Sequence, residues 1–321
     1  MAVYTKIGLD EISLIEKTFN IGKIINFRGI KKGIENTNYL IKSKNRKFIL
    51  TIFEKRVNSK DLPFFMKLMS GLVKSKIKCP EPIRNKKNKY LFNLKGKRAC
   101  LVTFLEGKDK HDLNSKECFV IGKNIAKLHE ASKRLKIYRK NSLSVNSWGP
   151  LLKKVSKNIN KKFNNLTFQM KIDYAKIKKV WPKKLPTGII HCDLFLDNIF
   201  FYKGRFHGFI DFYFSSNDYY AYDLAICVNA LCFNKKNSNF VMNNKKSSSL
   251  LKGYQTVRKL NKLEKNSFNT LCKGSALRYL LTRSYDYLNT PKTAIIKIKD
   301  PKEYIQKLAF HKKLSSFKDY C

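Results

Sequence analysis

The chain is poor in acid. Its 321 residues hold 23 Asp and Glu against 67 Lys and Arg, a formal charge of +44 at pH 7. So few carboxylates argue against a dense acidic cleft of the kind a polycationic substrate needs. Arg is the scarce cation. Most of the 67 are Lys, spread along the whole chain without forming one stripe. Bidentate Arg forks for bases and phosphates are therefore few, and no nucleic-acid-binding motif accompanies the Lys. The Lys excess travels with abundant Asn, Ile, Phe and Tyr, which share AT-rich codons. It reads as a solvated surface that raises the encounter rate with anions, and no nucleic-acid partner is expected.

Other absences narrow the class further. None of the eight Cys falls in a C-x-x-C pair, which excludes zinc-ribbon and thioredoxin-type motifs. Several sit among apolar neighbours, as in Ala99-Cys100-Leu101, and read as buried, reduced thiols. Long apolar runs are missing too: residues 224–233 cover about half a membrane span. Charges at Lys6, Asp10, Glu11, Glu16 and Lys17 argue against a signal peptide. The expectation is a cytoplasmic protein with no membrane association.

What is present suits a compact chain. Hydrophobic residues make up 43%, above the disordered range, and the length suggests about two structural units. The patterning predicts a helix over 9–20, strands over 24–28, 38–42 and 47–53, a helix over 62–73 and a hairpin turning at Lys95-Gly96. After residue 106 helices dominate, over 118–131, within 150–180 and over 267–289. Residues 234–249 are polar and read as a mobile loop. The fold class expected is α+β: a two-lobed, protein-kinase-like fold, with a β-rich lobe over 1–104 and a mainly helical lobe over 105–321.

The chemistry lies in Ile189-Ile190-His191-Cys192-Asp193, which leads on to Asn198. An apolar strand delivers His-x-Asp, and Asn follows five residues after Asp193. A second apolar run turns at Lys203-Gly204-Arg205 and returns to Asp211. That hairpin brings Asn198 and Asp211 together beside Asp193. Phosphoryl transfer to an alcohol needs Mg²⁺ on the phosphates and an oriented hydroxyl. Asp193 then serves as the catalytic carboxylate, and Asn198 and Asp211 as metal ligands. His191 reads as a buried structural residue and Asp197 as part of the turn. The first lobe offers an ATP site: Gly29, Gly33 and Asn36 in a phosphate loop, and the backbone of Thr103 to Leu105 for adenine. A phosphate-binding Lys belongs on the third strand, but the matching position holds Thr51. Lys55, at the strand end, takes the assignment, with a plain surface Lys as the alternative. Glu54 and Asp61 lie near it in sequence.

H-x-D-x(4)-N followed by Ile210-Asp211-Phe212 resembles the aminoglycoside and choline kinase-like superfamily. Tyr222-Asp223-Leu224-Ala225 is similar to its second-lobe helix start, where the Asp braces the catalytic loop. Gly33-Ile34-Glu35-Asn36-Thr37-Asn38-Tyr39, Asp61-Leu62-Pro63-Phe64-Phe65 and Leu280-Leu281-Thr282-Arg283-Ser284-Tyr285-Asp286 resemble the kinase-like homoserine kinases, and the similarity runs along essentially the whole chain. Cys192 departs from that pattern, where a small residue such as Ala is usual. The resemblance implies ATP-dependent phosphorylation of L-homoserine in threonine biosynthesis, with another small alcohol such as choline or an aminoglycoside as the alternative. A zwitterionic substrate needs a cation and an acceptor. Arg278 or Arg283 is expected at the carboxylate and Asp218 or Asp286 at the ammonium, and an interior salt-bridge network is the competing reading of these residues.

Overall fold

A computed structural model describes residues 4–30, 36–54, 57–290 and 298–321. Helix α1 (Leu9–Thr18) packs Ile12 and Ile15 against a five-stranded antiparallel sheet. Its strands are β1 (Ile24–Gly29), β2 (Thr37–Ser43), β3 (Lys47–Ile52), β4 (Leu91–Leu94) and β5 (Lys97–Thr103), in the order β1-β2-β3-β5-β4. Lys95 and Gly96 both take positive φ, 48° and 71°. A two-residue hairpin turn needs that twist, so β4 and β5 join tightly. Between β3 and β4 lies α2 (Leu62–Lys74), with Pro63 in its first turn, where the missing N–H costs nothing.

The second lobe is built on helices. Asn114 and Glu117 form a reciprocal capping box that starts α3 (Ser115–Ser132). The stretch 150–180, expected to be helical, is two helices, α4 (Val145–Ser156) and α5 (Leu166–Lys179). The break has a local cause. The Asn160 side chain accepts from Thr167 N at 2.8 Å and Asn165 takes a left-handed φ of 55°. Asn-rich segments favour such turns over a continuing helix. Next come β6 (Thr187–Ile190) and a hairpin of β7 (Ile199–Tyr202) and β8 (Arg205–Phe209). Then β9 (Ser216–Tyr219) pairs with β6 and runs into α6 (Tyr220–Leu231).

Residues 234–249 are not a loop. They form β10 (Phe233–Lys236), β11 (Asn239–Met242) and the start of α7 (Asn244–Gln255). Tertiary contacts override the polar composition: Lys246 is buried against Asp112 and Asn234, and Phe240 N donates to Gln306. Helix α8 (Lys262–Asn289) starts five residues before the expected point, where Asn261 and Glu264 cap each other. Helix α9 (Lys302–Lys312) follows. Helices α3 and α7 meet with almost no space between them. A Cβ on Gly122 would lie 2.0 Å from Leu250 O, and one on Gly253 2.0 Å from Phe119 O. One apolar core runs from α2 through α3, α6 and α8. No described helix is long and apolar enough to cross a membrane. All eight Cys are free thiols, seven of them buried and Cys321 exposed.

Candidate active site

Strand β6 ends at Ile190, and the next three residues carry the site. Cys192 holds a left-handed backbone, φ 67°, which costs an L residue roughly 1–2 kcal/mol. Hydrogen bonds on both sides hold it there. Asp223, on α6, accepts from His191 N and Cys192 N, both at 2.9 Å. From α8, Arg278 Nη1 (3.0 Å) and Tyr279 OH (2.9 Å) both donate to Cys192 O. The bracing role that the resemblance gave Asp223 thus has its geometry. His129 Nε2 stands 3.0 Å from the same carboxylate, and Tyr254 OH lies 2.9 Å from His129 Nδ1. Burial alone would push the Asp223 carboxyl up. The hydrogen bond and charge of His129, with the two backbone donors, outweigh it and hold it below its ordinary value.

Asp193 follows on the strained peptide. Each of its carboxylate oxygens faces a donor: Tyr279 OH at 3.2 Å from Oδ1 and Asn198 Nδ2 at 3.3 Å from Oδ2. Burial pushes this carboxyl above its ordinary value, with the charge of Arg278 pulling the other way. Asn198 Nδ2 also donates to Asp193 O at 2.8 Å. Its remaining polar side-chain atom is therefore an oxygen, the donor type that Mg²⁺ takes. The β7–β8 turn uses Lys203 and Gly204 at positive φ, 47° and 75°. The hairpin closes where Ile210 N donates to Asn198 O at 3.0 Å. Asp211 comes next, exposed and at φ 62°. Two oxygen donors from one hairpin base suit Mg²⁺, which keeps waters and shares its shell with phosphate. His191 is buried, with Nε2 3.0 Å from Ile210 O, and Asp197 lies in the turn 196–198.

In the first lobe the expected ATP residues divide. Gly29 ends β1, and Asn36 is buried, its Oδ1 accepting from Glu54 N at 3.4 Å. Gly33 and Lys55 lie outside the described residues. Thr51 Oγ1 donates to Asn38 at 2.8 Å on the inner sheet. Glu54 pairs with Lys97 and accepts from Thr5 and Thr37, each at 2.7 Å. Asp61 pairs with Arg139 at 2.7 Å. At the hinge, Thr103 N donates to Glu81 O and Phe104 N to Lys47 O. Those two N–H groups are thereby committed within the protein, and Leu105 is half-buried beside Gly208.

A cavity of about 550 Å³ opens on Asp193, lined among others by Arg278, Thr282, Arg283 and Asp286. Three of the four expected substrate residues share it. Asp218 does not line it. Its carboxylate, on β9, takes Asn141 Nδ2 and Tyr219 N, both at 2.7 Å. Arg283 is ion-paired with Glu303 at 2.5 Å, and Glu303 also holds Lys307 at 2.6 Å. Arg283 is therefore part of an interior salt-bridge network as well as of the cavity wall. Tyr279 was missed entirely. A Tyr in an apolar helical stretch carries no sign that its hydroxyl meets a loop 86 residues away.

The family model described as phosphotransferase enzyme family (APH) matches residues 26–256. Homoserine kinase of Parvibaculum lavamentivorans is 42% identical over 98% of both chains. That of Nitrobacter hamburgensis is 41% identical over 100% of this chain and 97% of its own. Among solved structures, spectinomycin phosphotransferase with ADP and spectinomycin matches with a TM-score of 0.66 at 14% identity, covering 98% of each chain. Choline kinase from Cryptosporidium parvum matches at 0.63 and 14%, over 94% and 93%. At that identity these two speak for the fold alone, an α+β phosphotransferase of the protein-kinase-like kind. The chain therefore belongs to the phosphotransferase enzyme family and, within it, to the homoserine kinase family of ATP-dependent hydroxyl kinases.

Proposed function

We propose that this chain transfers the γ-phosphoryl group of ATP to the hydroxyl of L-homoserine, a step in threonine biosynthesis. The observation that carries the substrate is the similarity to homoserine kinases over the whole chain. Support for the residue roles comes from the Asp193–Asn198 contact at the hairpin base. Asp193 orients the homoserine hydroxyl and accepts its proton as the oxygen attacks phosphorus. Its raised affinity for a proton suits that task. Asn198 and Asp211 would hold Mg²⁺ through their side-chain oxygens. When bound, that ion neutralises charge developing on the phosphates. Gly29 and Asn36 are assigned to the phosphates, and the chain from Thr103 to Leu105 to adenine, through groups other than the N–H of Thr103 and Phe104. Of the expected substrate contacts, Arg278, Arg283 and Asp286 share the cavity with Asp193, with either Arg a candidate for the carboxylate and Asp286 for the ammonium.

An ADP-release assay with Mg-ATP and a panel of homoserine, choline, serine and kanamycin tests this reading. Release with homoserine alone is the expected result. Release with choline and none with homoserine would overturn the substrate.

A further inference from the structure

Arg278 is a buried cation whose charge is felt by Asp193 without a direct ion pair between them. It is 3% exposed, and none of the ion pairs among the described residues includes it. The other buried cations among the described residues of the second lobe are all paired: Arg283 and Lys307 with Glu303, Lys246 with Asp112. A guanidinium taken out of water without an anion in direct contact is costly, so the exception calls for a cause. Arg278 Nη1 is used on Cys192 O, but Nε is buried with no hydrogen-bond partner. The guanidinium rests on the Tyr279 ring, 4.1 Å from its centroid, which fixes its plane. It also lines the cavity that holds Asp193.

From this we infer that Arg278, and not Arg283, seats the α-carboxylate of the substrate, and that it restricts the enzyme to amino-acid alcohols over plain amino alcohols. The inference rests on the homoserine reading above and deepens it. A carboxylate at Arg278 supplies the direct ion pair that the described residues do not. The same guanidinium holds the carbonyl of Cys192, the residue before Asp193. Substrate recognition and the placement of the base therefore meet on one side chain. Arg283 lacks that opening, because a substrate carboxylate there must displace Glu303.

The test compares kcat/KM for homoserine with that for 3-aminopropan-1-ol, the same chain without its carboxylate, in the full-length protein by ADP release. Wild type should prefer homoserine by about 100-fold or more, the scale of losing one partner of a buried charge pair. In Arg278→Met that ratio should collapse towards one, and in Arg283→Met it should persist. A role confined to holding Cys192 O would lower both substrates by the same factor in Arg278→Met, leaving the ratio intact and overturning the inference. Collapse of the ratio in Arg283→Met would overturn it as well. Should Arg278→Met not fold, Arg278→Lys decides. It keeps a charge but loses the fork, so the ratio should fall part of the way, and an unchanged ratio refutes the assignment. A wild-type enzyme inactive on both alcohols fails the homoserine reading itself, which separates that failure from this one.

Discussion

Replacing Asp223 by Asn keeps the side-chain size and should still be among the most damaging changes in the chain. Asp223 is fully buried and accepts three hydrogen bonds on two oxygens, from His191 N, Cys192 N and His129 Nε2. An amide offers one oxygen, so its NH₂ must face at least one N–H donor. Leaving a buried donor unpaired costs about 1–3 kcal/mol, and the bonds lost were to a charge. The expected loss is about 2–4 kcal/mol, a large part of the roughly 5–15 kcal/mol that a folded protein has. Urea unfolding should show it as a lower midpoint with an unchanged slope. Cys192, no longer held at positive φ, should relax and move Asp193. A displacement of about 1 Å can lower kcat by about 100-fold. The pH dependence carries a sign. Asp223 is held below its ordinary value, so its contribution is present above about pH 3.9 and fades as pH falls through the lower folded value. The deficit of the variant should therefore shrink only in strong acid. Stability within about 0.5 kcal/mol of wild type, with normal kcat, would refute this account of the catalytic loop.

Other perturbations test other parts of the structure. Gly122→Ala puts a methyl 2.0 Å from Leu250 O on the facing helix backbone. It should destabilise by about 1–3 kcal/mol or more, with KM for ATP little changed, and a neutral result in urea unfolding would mean the helices can separate freely. His311 is buried between Tyr320 OH and Asn229 Oδ1, both at 3.0 Å. Burial, with Lys307 and Lys273 nearby, pushes it down to about 3. The unfolded chain takes up that proton first, so stability should fall as pH drops below about 6.5, by up to about 2 kcal/mol between pH 6.5 and pH 5. His311→Gln should flatten that slope, and an unchanged slope places its origin elsewhere.

Much of this was legible because local pattern and tertiary structure agree. Short apolar runs separated by turn residues such as Lys95-Gly96 marked all five strands of the sheet within a few residues. The β7–β8 hairpin carried its own turn chemistry in Lys203-Gly204. Its spacing alone therefore places Asn198 next to Asp193. What stayed hidden depends on partners far away in sequence. The β10–β11 hairpin reads as polar loop because its support is Gln306 and the buried Lys246–Asp112 pair. Tyr279 and Arg278 sit in an ordinary helical stretch, and only the packing of α8 on the catalytic loop gives them Cys192 O. Arg283 and Arg278 look equivalent in sequence. Glu303, on another helix, is what separates them.

The central claim is tested most directly by following O-phosphohomoserine formation from Mg-ATP and homoserine in wild type and Asp193→Asn side by side. The account predicts turnover in wild type and a kcat lowered by about 10²–10⁴ in the variant, with the fold retained. No product from wild type, or near-normal turnover in Asp193→Asn, would contradict it.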